Sequence, residues 1–203
     1  MENIPSRAIS RLTVAMGITA IVSIVSLILF FIFGGFWGPL NDLTIAVVAL
    51  MSAALAWMLH PFFRARSPRL SYFMLIAAIA GAVIASIGSA LVMSGTTNWQ
   101  LAGSVNALGY AFIGFWLLAF NYHARLTDVF PQTLTRLGQI SGALSALGLL
   151  NVLGIFGIVD AQSEAYWLLN LAQVGGLGGI LLLVWTVWLG RVVLKSTKKM
   201  QHG

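Results

Sequence analysis

Ser141 lies in the run Gly138-Gln139-Ile140-Ser141-Gly142. A hydroxyl among small residues can act as a nucleophile only if a base activates it. The chain has three histidines, His60, His123 and His202. None lies in the apolar run around Ser141 or in the one that follows it. No two histidines stand three or four residues apart, so none forms a metal-binding face on a helix. Asp42, Asp128, Asp160 and Glu164 fall at segment ends or in polar connections. A charge inside the bilayer is the mark of proton relays, voltage sensors and carboxylate-lined metal paths, and these classes are excluded. With no cysteine, disulfide frameworks, thiolate metal sites and thiol nucleophiles are excluded as well. There is no phosphate-binding loop, dinucleotide fingerprint or zincin motif. The sequence therefore reads as non-enzymatic, with no cofactor and no metal.

What remains is neutral and polar. Asn170 and Gln173 are three residues apart, hence on one helical face, with nearby glycines pointing largely the other way. Asn151 lies in the preceding apolar run, and Asn106 with Tyr110 one turn on lies in the run before that. All five are expected in the same half of the bilayer. Buried amides must find partners. Either they bond one another as interhelical glue, or they line a pocket for a small neutral solute or a lipid headgroup.

Composition settles the setting of these residues. Apolar residues make up 59% of the 203 and charged residues 8%, against about 25% charged in soluble domains. The mean hydropathy is +0.94. Six stretches approach the ~20 residues that a bilayer core requires, and the expected fold is an all-α, polytopic bundle of six membrane-spanning helices forming one membrane domain, 1–203. The spans are about 12–34, 43–59, 70–93, 104–122, 137–159 and 166–189, followed by a basic tail, 190–203. Breaks are expected at Gly34-Gly35 and Pro39, at Pro61 and Pro68, at Ser94-Gly95, at Pro131 and at Asp160, with Asn41 or Asp42 capping the second helix. The first span is about 22 residues long and no A-x-A site follows, so it reads as an uncleaved helix rather than a signal peptide.

All eleven Lys and Arg residues fall on one side of these spans: Arg7 and Arg11, then Arg64, Arg66 and Arg69, then Arg125 and Arg136, then Arg191, Lys195, Lys198 and Lys199. The opposite loops hold Asp42, Asp160 and Glu164. The positive-inside rule then puts both termini in the cytoplasm of a cell membrane. It accounts for the net charge of +6 without nucleic acid, and anionic lipid is the expected partner of the basic face. Trp37, Trp99 and Trp167 mark one interface, and Trp57, Trp185 and Trp188 the other.

Helices associate in lipid through small residues and interhelical hydrogen bonds. Ala77, Gly81, Ala85 and Ser89, with Gly88 on the same arc, form one such seam. Gly138, Gly142 and Ala146 form a second, and Gly175 with Gly179 a third. Gly175–Gly179 holds four glycines, each costing about 1 kcal/mol in a helix, so a hinge is the alternative there.

Several segments are familiar: Gly109–Phe120 (GYAFIGFWLLAF), Phe130–Gly148 (FPQTLTRLGQISGALSALG), Trp185–Gly190 (WTVWLG) and Leu40-Asn41-Asp42. Together they resemble a domain-of-unknown-function family of small six-helix bacterial integral membrane proteins. The resemblance implies bacterial origin and fold, and carries no activity. The Gly138–Gly142 run also superficially resembles the serine motif of rhomboid proteases, but in Ala172-Gln173-Val174-Gly175 a glutamine stands where their histidine is needed. Two functions stay open. One is a scaffold or accessory protein acting through helix contacts, as a homo-oligomer or with a membrane partner. The other is a binder or facilitator of a small neutral solute or lipid.

Overall fold

The computed structural model describes residues 6–65, 67–159 and 162–201, and the side chains of all of these except residues 6 and 195–201. Six helical segments are long and apolar enough to cross a membrane, and among the described residues there is no strand. Lipid offers backbone groups no partner, so each span closes its hydrogen bonds within itself. The helices are α1 (Ser6–Phe33), α2 (Trp37–Arg64), α3 (Pro68–Met93) and α4 (Trp99–Leu126). The fifth span is built in pieces: α5 (Gln132–Ala146), a tighter 3-10 turn (Leu147–Leu150) and the short α6 (Asn151–Ile155). A 3-10 turn (Glu164–Tyr166) then leads into α7 (Trp167–Gln201).

Several boundaries differ from those expected. α2 begins at Trp37, not at the expected residue 43, so neither Asn41 nor Asp42 caps it; Pro39 sits in its first turn, where a missing N–H costs nothing. Pro61 does not end α2, because it removes one hydrogen bond only a turn before Arg64. α7 is continuous α-helix through Gly175–Gly179, so the glycines form no break there. The expected break at Asp160 lies outside the described residues.

The helices form a closed ring in chain order. α1 packs on α2, α2 on α3, α3 on α4, α4 on α5, α5 on α7, and α7 returns to α1. Neighbours are antiparallel: Gly17 faces Val187, while Gly190, further along α7, faces Thr13. The start of α1, the α2–α3 and α4–α5 connections and the end of α7 therefore share one face, here called the termini face. The α1–α2, α3–α4 and α6–α7 connections share the opposite face. Gly34 and Gly35 turn the chain there with φ of 66° and 62°, a left-handed backbone that side chains resist.

The half of the ring nearer the termini face is filled by aromatics. Trp116 stacks on Phe120 at 5.7 Å, and Trp185 meets both edge-on at 6.3 Å. Trp185 is fully buried. It is therefore not part of an interfacial belt: its indole finds its polar partner inside the bundle, in the Asn121 side chain. Trp57, by contrast, is 66% exposed.

Glycines let the ring close tightly. A Cβ on Gly81 would strike the Gly109 carbonyl, and one on Gly142 would lie 2.6 Å from the Gly114 carbonyl and from the Leu118 nitrogen. Gly138 packs on the Asn121 side chain, and Gly88 on that of Asn106. A Cβ on Gly175 would lie 3.2 Å from the Gly148 nitrogen and the Leu144 carbonyl. Gly179 departs from its expected place in this seam: a Cβ there would meet nothing, and Gly178 takes the close approach, against Ser145 and Ser141. The reason is helical phase. At 3.6 residues per turn, Gly175 and Gly178 point at α5, and Gly179 is turned toward α1.

Candidate functional site

In the half of the ring nearer the opposite face the aromatic filling stops. A cavity of about 440 Å³ opens between α1, α2, α4, the fifth span and α7. At 1.5 Å per residue it runs ~16 Å along α1, from Leu27 down to Met16. Met16 and Leu182 form its floor, above the aromatic cluster. The wall made by the fifth span and α7 carries Ser145, Gly148, Gly175, Gly176 and Gly179, so it is largely backbone and small side chain.

The opposing wall carries most of the polarity. Asn41, in the second turn of α2, accepts a hydrogen bond from the Ser23 hydroxyl of α1 at 2.9 Å. Tyr110 of α4 donates from its hydroxyl to the Ile45 carbonyl of α2 at 2.9 Å, leaving its lone pairs free to accept. Asn106 stands one turn before Tyr110 and lines the cavity. It is 7% exposed, and its Oδ1 is buried with no hydrogen-bond partner. Gly88 on α3 makes room for it: a Cβ at that position would collide with the amide. An unpaired amide in an apolar interior costs on the order of 1–3 kcal/mol. The Ser89 hydroxyl of α3 is buried without a partner as well, whereas the other two buried asparagines of α4 and α6 are paired. Asn121 donates to the Leu117 carbonyl, and Asn151 donates to the Gly148 carbonyl at 3.0 Å.

The residues expected to converge therefore separate. Asn106 and Tyr110 line the cavity. Asn151 does not; it is buried beneath the 3-10 turn and serves one of that turn's carbonyls. Asn170 and Gln173 are exposed on the outside of α7. The small residues Ala172, Gly175 and Gly178 hold the face that must pack closely, and the two amides lie on the other side of the helix. Both stand within the first two turns of α7, facing away from the bundle. Ser23, Asn41 and Ser145 had not been expected to line a site. Asn41 and Ser23 are 18 residues apart and belong to different helices, so spacing gave no sign of their pairing.

Among the described residues, no charged side chain lines the cavity. His60, outside it, shares its Nδ1 with the Ser71 hydroxyl at 2.7 Å, linking α2 to α3. Ser141 donates to the Gly178 carbonyl at 2.8 Å, so that hydroxyl ties α5 to α7. Among the described residues no cluster of His, Asp or Glu could hold a metal ion. The cavity can take up a mostly apolar, uncharged molecule and bond its polar end to Asn106, Asn41 and Tyr110. The resemblance to the six-helix bacterial family gains no support: no known family matches the chain, and neither a curated protein nor a solved structure proved similar to it.

Proposed function

We propose that this protein is an integral membrane binding protein, or facilitator, for a small, uncharged and mostly apolar ligand held in the cavity within the ring. The observation that supports it most is the cavity itself, with the Asn41 and Asn106 amides and the Tyr110 hydroxyl on one wall and small residues on the other. The cavity also falls in the range of known ligand pockets, about 300–1,000 Å³, which are mainly apolar with a few placed polar groups. The groups on its walls are amides and hydroxyls with no base among them, so the reading is binding without bond-making. The one-sided basic residues support an orientation with the termini face in the cytoplasm and the cavity in the outer leaflet of a cell membrane.

The test is thermal unfolding of the full chain in detergent with 1-octanol as probe. The wild type is expected to gain several degrees and Asn106→Leu none. No shift in wild type with 1-octanol or its short-chain homologues removes the reading.

The scaffold reading rests on a different observation. α1 packs only on α2 and α7, and Val14, Ile18, Ile21 and Ile28 are exposed along it. That ridge is the surface a second copy or a partner helix would use.

A further inference from the structure

α1 and α7 touch closely in the half nearer the termini face, where Gly17 lies against Val187 and Gly190 against Thr13. Nearer the opposite face they part. A Cβ on Gly176 or on Gly179 would meet no atom within 4 Å, although both glycines line the cavity. The neighbouring cavity residues Ile24 of α1 and Ile180 of α7 are 39% and 50% exposed. A residue that lines an internal cavity and is also half exposed stands at a mouth. Leu183 makes the same point, because it borders both the cavity and an apolar groove on the outer surface of α1 and α7. The cavity therefore has a side door, and by length and composition the helices around it are membrane spans.

Resting on the cavity reading, we infer that the ligand is a single-chain membrane lipid with a small uncharged hydroxyl-bearing head, such as a monoacylglycerol, and that it enters sideways between α1 and α7. Three observations determine the class. The mouth opens at the depth of acyl chains, since Gly176 and Gly179 lie ~14–18 Å below the start of α7 at Trp167. The volume is at the small end of ligand pockets, with room for one chain. Asn41 and Asn106 lie toward the opposite face, and the deep lining is Met16, Leu182, Leu183 and Thr186, whose hydroxyl is already bonded to the Leu183 carbonyl. Among the described residues no cationic side chain lines the site to pair with a phosphate, so a charged headgroup is disfavoured.

The experiment places the full chain in phosphatidylcholine nanodiscs containing a monoacylglycerol with a diazirine in its chain. Irradiation and peptide mapping then locate the lipid. Wild type is expected to be labelled at cavity residues such as Ser23 and Gly176, and Gly176→Leu, which places a side chain in the mouth, should cut that labelling at least five-fold. If Gly176→Leu does not fold, Ile180→Trp at the other edge of the mouth replaces it. Undiminished cavity labelling in the plugged variant overturns the lateral route. Labelling confined to outward residues such as Phe31 and Leu177 overturns the lipid assignment. In that case a 1-octanol shift in wild type would still leave the cavity reading standing, and its absence would remove both.

Discussion

The indole Nε1 of Trp185 donates a hydrogen bond to Oδ1 of Asn121 at 2.9 Å, joining α7 to α4 across 64 residues of sequence. Both side chains are buried. The same amide donates through Nδ2 to the Leu117 carbonyl at 2.8 Å, and Gly138 of α5 packs against it. One amide thus ties three helices together beneath the cavity, with both its nitrogen and its oxygen bonded, whereas the Oδ1 of Asn106, on the same helix, has no partner.

Trp185→Phe should destabilise the bundle, because it strands the Asn121 oxygen in an apolar interior. With Asn121→Leu it forms a double-mutant cycle. The coupling expected is about 1 kcal/mol, in the range of interhelical bonds in membranes. Reversible unfolding in detergent measures it, and a cycle with no coupling refutes the link.

Asn106→Leu should do the reverse of an ordinary core change. It removes an unpaired buried amide, so stability without ligand should stay level or rise by about 1 kcal/mol. The variant should at the same time lose the 1-octanol shift. Asn170→Leu and Gln173→Leu, on the exposed outside of α7, should leave that shift intact. Loss of the shift in either would place those amides in the site.

Gly142→Leu and Gly179→Leu separate a seam from an opening. A side chain at Gly142 enters the backbone of α4 at Gly114 and Leu118, and such overpacking costs about 1–3 kcal/mol or more. Gly179 faces open space, so its variant should unfold at the wild-type temperature. Equal melting temperatures for Gly142→Leu and wild type would contradict the α4–α5 packing.

Cysteine labelling suits a chain without cysteines. With the termini face in the cytoplasm, a cysteine at Gln162 should react with an impermeant maleimide added outside intact cells. One at Asp128, in the α4–α5 connection, should react only after lysis. The reversed pattern would invert the orientation and move the cavity to the inner leaflet.

The number of helices was legible in the sequence because it depends on length and apolarity alone, which local residues carry. Helix ends were less so: α2 starts before Asn41 and runs past Pro61, since a proline near either end of a helix costs little. The site was half legible. Asn106 and Tyr110 stood out as polar groups in an apolar run, and their spacing placed them on one face. Asn170 and Gln173 shared a face by the same rule, but the rule does not say which face turns inward. Close packing at Gly175 and Gly178 decided that, and packing depends on α5. The Ser23–Asn41 pair belongs to two helices and is visible only once they stand side by side.

The ring closes in chain order, and this governs when the cavity can exist. As the chain enters a membrane from its amino end, α1 through α4 and then the fifth span can each settle against the helix made just before. Until α7 arrives, Asn106, Ser145 and Gly148 border a cleft open to lipid along one whole side. A chain halted before Trp167 would therefore carry its unpaired amide in the open, as a visible sign of incompleteness to any membrane protease or insertion factor that reads polar groups in lipid. The last helix narrows that cleft to the cavity within the ring.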